Sequence, residues 1–220
     1  MTPMHFENRP PYDDQTIGRI VYWLIRLNGA LCIVQIVAIS MAKGGAEGQY
    51  RVASQFLDGN FFVASSILFL LTAIVFLWWK YRATINLFHL RGTQTVTPAG
   101  AIYWYFVPVA WFWKPYEAMR NLSNGYGVGD EPGVLLWWVL YWGRITAAVV
   151  VGVVVSDPAR TIPEARVYAW SNIAIYAIAG TWCWAAARLV SAISTAESGM
   201  QKQTWLQEAR MNNDRIATDT

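Results

Sequence analysis

A single arginine, Arg144, stands ten residues into an otherwise uncharged apolar run, 134–155. On a helix that spacing is about 15 Å of depth. An arginine at the centre of a bilayer costs at least about 2.5 kcal/mol to insert, so its guanidinium must face protein or water. No Asp or Glu lies in any of the four long apolar runs, and three arrangements stay open. Arg144 bonds neutral groups at similar depth, such as Asn28, Thr72 or Thr181, with Tyr141 one turn away as a cation–π partner. Or it holds an anionic lipid or small ligand. Or it meets an acid on a partner subunit. Arg26 and Asn28 join Arg144 and Tyr141 in this candidate intramembrane site. Arg26 is close enough to its helix start to snorkel. Asn28, Cys32 and Gln35 are spaced i, i+4, i+7, a polar stripe of the kind that holds helices together.

A second polar group, Arg82, Asn86, Lys114 and Glu117, lies between two apolar runs. Trp78, Arg82 and Asn86 are spaced i, i+4, i+8 and share one helix face. Glu117 is the only acid between Asp58 and Asp130, in a connection with five basic residues. It is expected to pair with Arg82 or Arg120. The four residues read as a polar clamp fixing the connection to the end of the second helix. An open cleft among them, with Tyr116, would instead suit an interfacial enzyme.

Other chemistries lack their residues. His5 and His89 both lie outside the runs, which removes a paired-His transmembrane haem. Cys32 and Cys183 have no Cys or His at metal-ligand spacing and read as small packing residues. No paired carboxylates, Gly-rich phosphate loop or Ser-His-Asp set is visible. A proton or ion pump would normally carry an acid in the membrane. No catalytic residue, cofactor or metal is expected, and with a net charge of +3 and no basic stripe, no nucleic acid.

The elements that must position these residues are four apolar runs, 17–41, 62–79, 134–155 and 167–193. Only 14% of the chain is charged, against about 25% in soluble domains, and the charges crowd between the runs. Each run can cross about 30 Å of hydrocarbon. A segment at 100–113 (GAIYWYFVPVAWFW) is intensely apolar but short and interrupted by Pro108. It reads as re-entrant or interfacial; a crossing there would make five spans. The expected fold is an all-α integral membrane protein, a four-helix transmembrane bundle with that aromatic segment between helices two and three. A cytoplasmic tail, 1–16, precedes the membrane domain, 17–193, and a second tail, 194–220, follows it. A short surface helix is expected near 50–57. Gly143 and Ala147 form a small-xxx-small pair that would admit another helix. The first run reads as a span, not a cleaved leader, because its flank is acidic and Asn28 and Gln35 interrupt it.

Eleven Lys and Arg residues fall on the side shared by both tails and the 80–133 connection, and four on the other side. The positive-inside rule then puts both termini in the cytoplasm. Thirteen Trp and eleven Tyr fit interfacial belts.

Two motifs resemble the bacterial domain-of-unknown-function 4328 family. One is Phe76-Leu77-Trp78-Trp79-Lys80-Tyr81-Arg82-Ala83, followed by Asn86-Leu87. The other starts at Thr97-Pro98-Ala99-Gly100, continues through Trp104-Tyr105-Phe106-Val107-Pro108, and ends at Trp113-Lys114-Pro115-Tyr116-Glu117-Ala118-Met119-Arg120. The resemblance implies a multi-span bacterial membrane protein and carries no assigned activity; the expected location is the bacterial inner membrane. Three functions are left open: a non-catalytic accessory, assembly or interaction subunit of a larger membrane complex; a protein binding or transporting an anionic lipid or amphiphile; and an interfacial enzyme. The partners these imply are the lipid bilayer, other membrane protein subunits and anionic lipid.

Overall fold

A computed structural model describes residues 15–43, 59–92, 94–129, 131–154 and 162–218. The surface helix expected near 50–57 and most of the N-terminal tail lie outside the described residues. Helix α1 spans Gln15–Lys43, α2 Asn60–Arg91, α3 Gly100–Tyr103, α4 Lys114–Gly125, α5 Glu131–Val154 and α6 Ile162–Thr218. A 3-10 turn covers Ala110–Phe112, and no strand occurs among the described residues. The protein is all-helical.

Four of these helices are long and apolar enough to cross a bilayer: Gln15–Met41, Phe61–Arg91, Gly133–Val153 and Ala169–Met211. The shortest is 21 residues, about 31 Å of rise. Ile67, Leu70, Leu71 and Ile74 of α2 point outward. In lipid such side chains lose nothing by exposure, and helices associate instead through small residues and polar bonds. The buried positions of α6 accordingly include Ala179, Cys183, Ala185, Ala186 and Ala187. Helices α2 and α6 run on past the apolar runs that mark them, because charge ends a membrane span without ending a helix.

Segment 100–113 holds no helix long enough to cross. It consists of α3, whose Gly100 N–H is capped by the Thr97 hydroxyl at 3.0 Å, and the 3-10 turn. Phe106 and Val109 stand 73% and 70% exposed, while Ala101 and Ala110 are buried. Pro108, which has no N–H to donate, separates the two pieces.

The chain divides into two compact units. The first comprises the described parts of Met1–Ile20, Val75–Val134 and Leu189–Thr220; the second comprises Val21–Ile74 and Leu135–Arg188 in the same sense. In the first unit, Trp79, Leu87, Met119, Leu122 and Ile193 are fully buried. Helix α4 starts with Pro115 in its first turn and ends in a reciprocal backbone lock. The Gly127 N–H bonds the Asn124 carbonyl and the Val128 N–H bonds the Ser123 carbonyl, both at 3.0 Å. This is a Schellman ending, and Gly127 supplies the required φ of +74°. Gly125 permits close approach to α2, since a Cβ there would lie 2.3 Å from Leu87 Cδ2.

Candidate functional site

In the first unit, α2 carries a row of polar residues into the core. Lys80 is fully buried. Its Nζ donates to the Tyr105 hydroxyl at 3.1 Å and the Pro115 carbonyl at 3.4 Å, and sits 4.8 Å from the Tyr105 ring. Two turns on, Asn86 Nδ2 donates to Glu197 Oε1 of α6 at 2.6 Å, with both residues buried. The Tyr126 hydroxyl donates to the Ala83 carbonyl at 2.7 Å, and Trp79 Nε1 donates to Ser194 Oγ at 3.1 Å. Helix α2 is thus bonded to the aromatic segment, to the end of α4 and to α6.

The residues expected to form a clamp are distributed among these ties. Asn86 engages Glu197. Arg82 lies over Trp78, 5.8 Å from its centroid. Lys114 and Glu117 pair with each other at 2.6 Å within the first turn of α4, so Glu117 takes Lys114 rather than Arg82 or Arg120 as its ion partner. That pair is part-exposed and stabilises little. Lys114 also lies 5.9 Å from the Trp104 ring, which links it to the aromatic segment.

Sequence reasoning missed Lys80, Tyr105 and Glu197. A signal for Glu197 existed: Ala186, Leu189, Val190 and Ile193 form the buried stripe of α6, and Glu197 is its next position at helical spacing.

The second unit holds the intramembrane residues. Arg144 of α5 places its guanidinium carbon 5.1 Å from both the Phe69 ring of α2 and the Trp182 ring of α6. Its Nε is buried without a hydrogen-bond partner among the described residues. Asn28 and Thr72 instead bond each other, Asn28 Nδ2 to Thr72 Oγ1 at 2.8 Å, and Thr181 bonds the Ala177 carbonyl at 2.9 Å. Tyr141 packs against Trp182 at 6.1 Å and stacks on Trp138 at 5.2 Å. Two rings therefore take the place of neutral hydrogen-bond partners. A desolvated cation–π contact contributes about 2 kcal/mol, close to the insertion cost of the arginine. Arg144→Leu should accordingly leave thermal stability within about 1 kcal/mol of the parent. A melt of the detergent-solubilised variant that drops by many degrees would show that Arg144 holds more than these rings.

Helices α1 and α6 meet closely. A Cβ on Gly29 would lie 3.3 Å from Cys183 Cβ, and one on Gly180 would lie 3.8 Å from Cys32 Cβ. The crossing is antiparallel, each glycine facing the other helix's cysteine. The sequence signal is a repeated Gly-x-x-Cys, at 29–32 and 180–183, which spacing alone does not pair. Gly143, expected to admit a helix, has nothing within 4 Å of its would-be Cβ.

At this crossing lies a groove of about 650 Å³, lined by the two glycines and cysteines and by Trp23, Arg26, Ile33, Ile36, Tyr176 and Trp184 among others. Trp23 and Trp184 are exposed, as is Arg26. Arg26 lies 5.7 Å from the Tyr22 ring, and Arg188 lies 5.0 Å from the Trp184 ring. Among the described residues, no three His, Cys, Asp or Glu groups cluster as metal ligands.

Residues 47–195, more than half of the chain, match the family described as Domain of unknown function (DUF4328). The chain belongs to that family. The DUF4328 match covers α2 to α5 and most of α6, and so includes Lys80, Asn86, Arg144 and Cys183. Helix α1 and Glu197 lie outside it. The DUF4328 description assigns no activity, and no curated protein and no solved structure matches the chain.

Proposed function

We propose that this membrane protein is non-catalytic and holds one anionic lipid or amphiphile in the groove between α1 and α6. The observation that carries the reading is the groove itself, mostly apolar and lined by the Arg26 guanidinium. Continuing the antiparallel register set by Gly29 and Cys183 brings Arg26 and Arg188 to within one helical turn of each other in depth. The Lys and Arg count supports placing both termini in the cytoplasm. Those arginines then face the leaflet surface that is negative from anionic lipids. A phosphate accepts charge-assisted hydrogen bonds from them, acyl chains run along Ile33 and Ile36, and Trp23 and Trp184 flank the headgroup level.

The test is lipid retention by native mass spectrometry after purification in mild detergent, with phosphatidylglycerol vesicles as the donor. Each arginine–phosphate bond is worth about 1.5 kcal/mol or more, so Arg26→Leu and Arg188→Leu should each cut retention about tenfold. Equal retention by the double variant would remove the proposal. The accessory-subunit reading has its own support in the last part of α6, where Trp205, Leu206 and Met211 are exposed beyond the packed stretch. A stoichiometric protein partner, with the groove empty of lipid, would establish it instead.

A further inference from the structure

We propose that Cys32 and Cys183 are a dithiol that peroxide oxidises to a disulfide, locking α1 to α6. The proposal stands on the helix crossing and not on the lipid reading. Two observations of geometry carry it, and the electrostatics of the site, in which each thiol feels the other, agrees with them. Gly29 and Gly180 remove the side chains that would hold the helices apart, so each cysteine Cβ lies against the backbone of the facing helix, one turn from the other cysteine. Finally, both cysteines line the groove, so a small uncharged oxidant reaches them from its open side.

The chemistry balances with hydrogen peroxide as the two-electron oxidant. The Cys32 sulfur, the more exposed of the two, attacks one peroxide oxygen. The O–O bond breaks, water leaves with the thiol proton, and Cys32 becomes a sulfenic acid. The Cys183 sulfur then attacks the Cys32 sulfur, the S–O bond breaks, and the hydroxyl leaves with the Cys183 proton as a second water. Both sulfurs are oxidised by one electron each, and the peroxide is reduced to two waters.

The experiment treats the purified full chain, in detergent and without added lipid, with hydrogen peroxide. Remaining thiols are counted by maleimide labelling after denaturation, and peptides are mapped by mass spectrometry. The expected result is loss of both thiols together, a mass lower by two hydrogens, a Cys32–Cys183 linked peptide, and recovery on adding dithiothreitol. In Cys183→Ser, Cys32 should stop at a sulfenic acid that dimedone traps. Oxidation of one sulfur to sulfinic acid while the other stays free would overturn the proposal. So would linkage only between separate molecules, or thiols that survive peroxide concentrations that oxidise free cysteine. The peptide map of the unmutated chain decides this even if the serine variant fails to fold.

Discussion

Glu197→Leu is expected to lower the apparent melting temperature by several degrees, the largest loss from any single polar side chain of α6. Glu197 accepts a hydrogen bond from Asn86 at 2.6 Å, and the two residues are 2% and 0% exposed. Leucine fits the stripe of Leu189, Val190 and Ile193, so the substitution costs little in packing. It removes the Glu197 acceptor from a fully buried amide, however, and losing a partner of a buried donor costs about 1–3 kcal/mol. Glu197→Gln keeps a carbonyl oxygen in the same place and should stay near the parent. Asn86→Leu alone should be destabilising, and combined with Glu197→Leu it should cost less than the two single changes added, because both ends of the bond are then gone. A coupling of about 1 kcal/mol or more between them is the predicted signature. The measurement is thermal unfolding of the four proteins in one detergent, followed by tryptophan fluorescence. Strict additivity would mean that the bond seen between α2 and α6 does not contribute to stability.

Why Glu197 escaped a reading of the sequence has a physical basis. The apolar runs were legible because a bilayer imposes a minimum length of apolar helix, and 17–41, 62–79, 134–155 and 167–193 all fall within described helices or overlap them. Charge then appeared to mark where the bundle stops, so everything after 193 read as tail. Helical packing follows face periodicity, not charge, and the buried face of α6 continues to Glu197. Lys80 is hidden for the same reason: by position it is the first cation beyond the second apolar run, yet it is fully buried. The depth of Arg144 was legible from its place in a run, but its partners were not. Phe69 and Trp182 are indistinguishable in sequence from other aromatic residues facing lipid, and only the fold brings α2, α5 and α6 to one guanidinium. The two Gly-x-x-Cys stretches show the limit most plainly. Each marks a helix face that can be approached closely, and nothing in one chain's spacing says that these two faces approach each other.

Lys80 yields the second large effect, and its sign depends on what replaces it. Its stem is packed in the core and its ammonium bonds the Tyr105 hydroxyl and the Pro115 carbonyl. Burying a charge costs several kcal/mol unless its partners compensate, and apolar replacements of similar volume are often neutral or stabilising. Lys80→Met keeps the stem and removes the charge, so its melting temperature should equal or exceed that of the parent. Lys80→Ala opens a cavity in the same place and should lose about 2–5 kcal/mol, as large-to-small core changes do. Tyr105→Phe separates the electrostatic part from the packing. In the parent it strips a hydrogen bond from a buried cation and should cost about 1.5–3 kcal/mol. In the Lys80→Met background no cation needs that hydroxyl, and the same change should cost almost nothing. Thermal melts of the four combinations decide it: an equal cost for Tyr105→Phe in both backgrounds would show that the hydroxyl serves something other than Lys80. A smaller cost in the methionine background would mean that the aromatic segment is held to α2 by a bond whose chief work is to neutralise the penalty of the lysine beside it.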